Sequence, residues 1–139
     1  MLHIKLISNK VIKSDLDNKT QNMQKFSVIT SLNQKYYDDV GYRMVESFLE
    51  FWPENISLHI YSEEKLNLTV KSSRVNVIDL FEAQPSLIDF ISRAKKRPDA
   101  HLLKSSLKKG AIRFSYKSFA IIDGGLNLSG DFIIWHDAD

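Results

Sequence analysis

Runs of apolar residues along the chain predict strands and helices in alternation. Runs rich in β-branched and aromatic residues, each bounded by polar turns, are typical of buried strands. Apolar residues that recur at helical spacing predict helices, and Pro53 and Pro98 end two of them. The predicted strands are 26–32, 56–61, 75–80 and 131–135. The predicted helices are 40–52, 86–97, 100–108 and 116–126.

This order of elements predicts an α/β fold with an open, mostly parallel sheet and helices on both faces. Parallel neighbours in a sheet need long crossover connections, which the predicted helices provide. We expect Gly110 to end the third helix and Gly124-Gly125 to weaken the end of the fourth. Residues 1–25 have no sustained period and are interpreted as a leader or loop, so the folded part is expected at 26–139.

The composition is that of a folded domain, because 43% of the 139 residues are hydrophobic and 26% are charged. Cysteine is absent, which excludes disulfides, thiol catalysis and cysteine zinc sites. The apolar patch 2–7 is interrupted by His3 and Lys5, so no signal peptide or membrane span is predicted. We therefore expect a cytoplasmic protein, with no membrane association indicated.

Charge is distributed unevenly, although the net charge is only +2. Nine lysines and arginines and one acid lie between Arg93 and Lys117, whereas four aspartates and no lysine or arginine follow Lys117. Such a pattern can steer an anionic ligand toward an acidic metal site. Solvated helix faces explain most of these lysines more simply, and we expect no nucleic-acid partner.

Two aspartates, Asp137 and Asp139, directly follow the last predicted strand. In an extended segment alternate side chains point the same way, so these carboxylates would lie together and His136 would point to the opposite side. Two close carboxylates become favourable when a divalent cation lies beside them, which predicts a Mn²⁺ or Mg²⁺ site. Two solvated carboxylates at a strand end are the plainer alternative. His136 is expected to pack rather than to bind metal.

Several segments resemble the GT-A class of nucleotide-sugar glycosyltransferases. They are FSVITSLNQKYY at the first strand, the helix end FLEFWP, ISLHIYSEE at the second strand, and RFSYKSFA before the apolar strand and DAD. The resemblance covers about residues 26–139. It implies a Rossmann-like, nucleotide-sugar-binding N-terminal part of a hexosyltransferase-like enzyme, whose acceptor is a glycan, lipid or protein. The acceptor pocket, further metal ligands and any catalytic base would lie beyond residue 139, so this part is not expected to complete a transfer.

The resemblance also implies roles for individual residues. Those expected around the donor are Thr30, Ser31, Asn33, Lys117 and Asp137. The expected metal ligands are Asp137 and Asp139, with Asp139 the more direct one. Arg113 is a less favoured alternative to Lys117. Ordinary turn chemistry would also explain the polar residues after the first strand, and a solvated side chain would explain Lys117.

Two other functions remain open from the sequence. A phosphatase of the haloacid dehalogenase type also has two such aspartates after an apolar strand, with the first as nucleophile and Mg²⁺ as partner. That strand normally opens the domain, whereas here it comes last. A non-catalytic α/β module could instead use the basic residues to bind an acidic partner or anionic lipid. Glu63 and Asp79, at the ends of other strands, are further candidate ligands for a ribose or base.

Overall fold

The computed structural model describes residues 24–97 and 107–138. Expectations for residues 1–23, for 98–106, which include most of the predicted helix 100–108, and for Asp139 therefore lie outside the described residues. The strands are β1 (Phe26–Ser31), β2 (Ser57–Ser62), β3 (Val75–Asp79) and β4 (Phe132–Trp135). The helices are α1 (Gln34–Tyr36), α2 (Tyr42–Phe51), α3 (Leu80–Ala83), α4 (Ser86–Lys96) and α5 (Leu107–Asn127), and a π-helical turn (Tyr37–Gly41) joins α1 to α2.

The four strands form one parallel sheet in the order β3-β2-β1-β4. In the centre of the sheet Val28 pairs with Leu58 on one side and with Ile134 on the other. The predicted α/β fold with a parallel sheet flanked by helices is therefore confirmed. The order also shows that the chain leaves β1 toward β2 and β3 and later returns to the other side of β1 as β4.

One face of the sheet packs against α2. Val28, Leu58 and Ile60 are buried there against Val45 and Phe48 of the helix. The buried helix residues are three positions apart, which is the spacing of one apolar stripe on an α-helix. Helix α2 ends at Phe51 because Trp52, the residue before Pro53, adopts an extended conformation.

The opposite face packs against α3, α4 and α5. Ile29 and Tyr61 belong to this second core cluster together with Leu80, Leu87 and Ala120, and all five are fully buried. Adjacent strand residues such as Val28 and Ile29 thus serve opposite faces, as the pleat of a strand requires. Helices cover both faces of the sheet.

Helix α5 differs from its prediction at Gly110. Gly110 lies inside the helix and does not end it, because its backbone does not adopt the left-handed conformation that a C-terminal glycine takes. The helix continues through Gly124-Gly125 to Asn127, one residue beyond its predicted end. A Cβ at Gly124 would lie 3.1 Å from Ile29 Cδ1, so the missing side chain allows α5 to approach β1 closely.

No helix among residues 24–97 and 107–138 combines the length and apolar character that crossing a membrane requires.

Candidate functional site

A cleft of about 690 Å³ opens beyond the carboxyl ends of β1 and β4. These two strands flank the point at which the connections diverge, since β1 continues through α2 on one face and β4 is reached through α5 on the other. In open α/β sheets this point is where ligands bind. The volume lies within the range of small-molecule and cofactor sites.

The first wall of the cleft follows β1. Ser31 ends the strand, and Asn33 begins α1 by accepting a hydrogen bond from the Tyr36 backbone N–H to its side-chain oxygen at 2.9 Å. The Asn33 amide also donates to Glu63 Oε1 at 3.3 Å, which joins the ends of β1 and β2. The Tyr36 side chain lines the same wall. This wall offers hydroxyl, amide and carboxylate groups beside an aromatic ring, which suits a ribose and base.

The second wall combines the middle of α5 with the end of β4. Lys117 of α5 forms an ion pair with Asp137 at 3.0 Å between Nζ and Oδ1. The same Oδ1 accepts a hydrogen bond from the Trp135 indole N–H at 2.7 Å. The Lys117 ammonium also lies 4.6 Å from the centre of the Trp135 ring, a cation–π geometry. Three side chains on two elements therefore hold one another at the cleft.

These contacts change the acidity of the carboxyl group. The hydrogen bond from the Trp135 indole and, to a smaller extent, the one from Lys117 hold the pKa of Asp137 below its ordinary value. Asp137 is consequently a carboxylate throughout the neutral range. Its side chain is 65% exposed, so water and a ligand can reach it.

A second carboxylate of the cleft lining, Glu63, affects the phenol of Tyr116, which also lines the cleft. Burial and, to a smaller extent, the negative charge of Glu63 raise the pKa of Tyr116 above its ordinary value. The phenol of Tyr116 is therefore protonated at neutral pH and available as a hydrogen-bond donor. The exposed Arg113, three residues before Tyr116 on α5, also lines the cleft and adds a positive charge.

The residues at the end of β4 fit a divalent cation that arrives together with a phosphate ligand. Within the described residues, no three His, Asp or Glu side chains form a cluster that could enclose a metal ion. Mg²⁺, however, is commonly held by one or two carboxylates, substrate phosphates and waters rather than by a cage of protein ligands. Asp137 supplies one exposed carboxylate, and only its Oδ1 accepts hydrogen bonds from described side chains. The second expected ligand, Asp139, lies outside the described residues.

The structure brings together most of the residues expected at the donor. Ser31, Asn33, Lys117 and Asp137 all line the cleft. Thr30 does not, since its side chain is completely buried and points to the α2 face, where its hydroxyl has no hydrogen-bond partner among the described residues. The strand alternation that puts Ser31 in the cleft turns Thr30 away from it.

Two other candidate residues, His136 and Asp79, make contacts outside the cleft. His136 points away from the Asp137 side, as expected, and lines a separate cavity of about 220 Å³ under α2, where its ring contacts Trp52 edge-on. Asp79 begins α3 by accepting hydrogen bonds from the backbone N–H groups of Phe81 and Glu82. Asp79 is therefore a helix N-cap, and it does not line the cleft.

Sequence reasoning missed Trp135, Tyr116 and the pair formed by Lys35 and Asp39, whose charged atoms are 3.3 Å apart at the rim of the cleft. The sequence pattern places Trp135 only at the end of the last predicted strand, 131–135. Its position two residues before Asp137 was the available indication, because both side chains lie on the same side of an extended segment. The other three residues come from helices, and only the folded chain shows which helix surface borders the cleft.

Comparison with known proteins gives no relative: no protein-family model, no curated protein and no solved structure matches the chain.

Proposed function

We propose that the chain is the donor-binding part of a metal-dependent glycosyltransferase that takes a sugar from a nucleoside diphosphate sugar. One observation carries the proposal: Asp137 and Lys117, a carboxylate and an ammonium group in contact, face a cleft of about 690 Å³ at the divergence point of a parallel sheet. The acceptor class, a glycan, lipid or protein, and the cytoplasmic location expected from the sequence belong to the same proposal.

The two walls of the cleft suit the two ends of such a donor. A diphosphate carries negative charge that an ammonium group and a carboxylate-bound cation can offset. Lys117 and Asp137 provide these at one wall. Ser31, Asn33 and Glu63 provide hydrogen-bonding groups for ribose hydroxyls and base edges at the other wall. When bound, Mn²⁺ or Mg²⁺ would act as a Lewis acid toward the leaving nucleoside diphosphate.

The fold favours this proposal over the phosphatase alternative. A haloacid dehalogenase-type nucleophile would be expected after the strand that opens the domain. Here β1 ends with Thr30, which is buried, and Ser31, whereas Asp137 follows the fourth described strand. The non-catalytic alternative depends on basic residues, and the three basic residues of the cleft lining are accompanied by three acids.

Thermal unfolding with UDP or GDP, with and without Mn²⁺, tests the proposal. A ligand at 100 times its Kd stabilises the folded state by about 2.7 kcal/mol, which corresponds to a rise in Tm of roughly 10 °C for a domain of this size. We expect such a rise with one of the nucleotides only when Mn²⁺ is present. Asp137→Asn should abolish the metal-dependent part, because the amide is a much weaker metal ligand.

Asp131→Asn is the matched control. Asp131 lies just before the amino end of β4 and accepts a hydrogen bond from the Lys25 backbone N–H, which an asparagine oxygen can also accept. This variant should keep the full nucleotide response. An equal response in Asp137→Asn and Asp131→Asn, or no metal-dependent response to either nucleotide, would refute the proposed site.

A further inference from the structure

Lys117 makes two contacts beside the proposed metal ligand Asp137, and a third contact joins Trp135 to the same carboxylate. Its Nζ lies 3.0 Å from Asp137 Oδ1 and 4.6 Å from the centre of the Trp135 ring, and the Trp135 indole N–H donates to the same Oδ1. The carboxylate is thus already neutralised by a protein cation. A second cation that binds Asp137 meets the repulsion of the ammonium group.

The contacts are also weak enough to be exchanged. The side chains of Lys117 and Asp137 are 41% and 65% exposed, and an ion pair at such exposure is worth little in water. The lysine side chain is flexible and its charge is compact, so the ammonium group can move within the cleft without movement of α5. A diphosphate in the same cleft would be a stronger partner for the ammonium group, because its total negative charge exceeds that of one carboxylate.

We propose that Lys117 is the resident counter-ion of Asp137, which disfavours a metal ion alone and moves to the diphosphate when metal and nucleotide bind together. This inference rests on the proposed function, and it specifies how binding at that site is ordered. The cleft would accept the metal–nucleotide complex and discriminate against the free ion. Lys117 then has two opposite effects, one on each ligand.

Those opposite effects give the test, which uses Lys117→Met. Methionine keeps most of the unbranched side chain and removes the charge. Binding of Mn²⁺ alone, measured from the free-ion signal in electron paramagnetic resonance, should tighten by about threefold or more, as expected for loss of a half-exposed ion pair and its repulsion. Binding of UDP or GDP at saturating Mn²⁺, measured by calorimetry, should weaken by about tenfold, the size of one charge-assisted hydrogen bond.

Two further variants separate this role from a general effect of charge. Lys35→Met removes a lysine from the same cleft lining, where it is paired with Asp39 instead, and should leave the Mn²⁺ affinity within about a factor of two, as for an exposed, screened charge. Lys117→Arg retains a cation and should retain the weak binding of Mn²⁺ alone.

The outcomes decide the inference separately from the proposed function. Unchanged or weaker Mn²⁺ binding in Lys117→Met, or the same tightening in Lys35→Met, would overturn the counter-ion role even if nucleotides bind. If neither nucleotide binds the unaltered chain, the proposed function fails and the exchange to a diphosphate fails with it. The comparison of Mn²⁺ affinities would still decide whether Lys117 opposes the metal.

Discussion

Arg74 stabilises the junction between α2 and β2 and offers the most specific test of the packing. Its guanidinium donates to four backbone carbonyls, which belong to Leu49, Trp52, Pro53 and Ile56, at distances of 3.0–3.4 Å. It also lies 4.8 Å from the centre of the Phe48 ring. Carbonyls at the end of a helix have no partner within the helix, and a cation there also interacts favourably with the helix dipole.

Replacement of Arg74 by methionine should cost about 2–4 kcal/mol of unfolding free energy. The two bonds at 3.0 Å, to Trp52 and Pro53, have good length, and a hydrogen bond to a charged group contributes about 1.5–3 kcal/mol. The total cost is smaller than the sum of these hydrogen-bond energies, because water replaces the guanidinium at the exposed Pro53 carbonyl. The part-buried Trp52 and Ile56 carbonyls are less well solvated and account for most of the cost.

Urea denaturation followed by circular dichroism measures this cost. With a slope of about 2 kcal/mol per molar urea, the midpoint should fall by about 1–2 M. Arg74→Lys should be intermediate, because a lysine can reach one or two of the carbonyls but not all four. Arg93→Met, at an exposed position of α4, should change the stability by less than about 0.5 kcal/mol. A shift for Arg74→Met no larger than that of Arg93→Met would refute the reasoning.

Two further predictions concern α5. Burial and, to a smaller extent, the hydrogen bond to Asp123 at 2.7 Å raise the pKa of Tyr61. Tyr61→Phe removes this bond to a carboxylate and should lower the free energy of unfolding by about 1.5–3 kcal/mol below pH 10. This difference from the unaltered protein should decrease in urea titrations as the pH rises above about 10, and a difference independent of pH would contradict the assignment. Gly124→Val should cost about 1–3 kcal/mol by crowding Ile29, whereas Gly125→Ala, with no atom within 4 Å of the new Cβ, should stabilise by up to about 1 kcal/mol. Similar melting temperatures for these two variants would show that α5 does not pack closely on β1.

The parallel sheet was predictable because its strands are short apolar runs of β-branched and aromatic residues with clear turns between them. Val28 and Ile60 show this pattern, and Pro53 marks the end of α2. The strand order was not predictable from the same pattern, since it depends on which faces the helices α2 and α5 cover. The glycines of α5 show the same limit: Gly110 lies inside the helix rather than at its end, and the close approach of Gly124 to Ile29 of β1 is not visible in any local pattern.

The π-helical turn Tyr37–Gly41 was also not predictable from helical periodicity. It places Tyr37 in the core, where the phenol is within 2.8 Å of Thr69 Oγ1 and accepts from the Thr69 backbone N–H, while Asp39 faces the cleft. Such turns within helices often occur at functional sites. Gly41, the last residue of the turn, lies close to the core, because a Cβ there would be 3.0 Å from Leu32 Cδ2.

The candidate site was predictable where strand ends determine it and unpredictable where helix surfaces do. Alternation along an extended segment placed Asp137 and His136 on opposite sides correctly. The same alternation, applied to the end of β1, separates Thr30 from Ser31 and would have removed Thr30 from the donor-binding residues. The contact of Trp135 with both Lys117 and Asp137 requires the register of α5 against β4, which the sequence pattern does not contain.

The central claim is that Asp137 holds a divalent cation against a diphosphate in the cleft between β1 and β4. Electron paramagnetic resonance of Mn²⁺, recorded on the chain with stoichiometric UDP or GDP and corrected for the binary metal–nucleotide complex, measures this directly. We expect about one protein-bound Mn²⁺ per chain, as in a single carboxylate–diphosphate site, together with its loss in Asp137→Asn and its retention in Asp131→Asn. Equal occupancy in the two variants, or a spectrum that the chain does not change, would contradict the account.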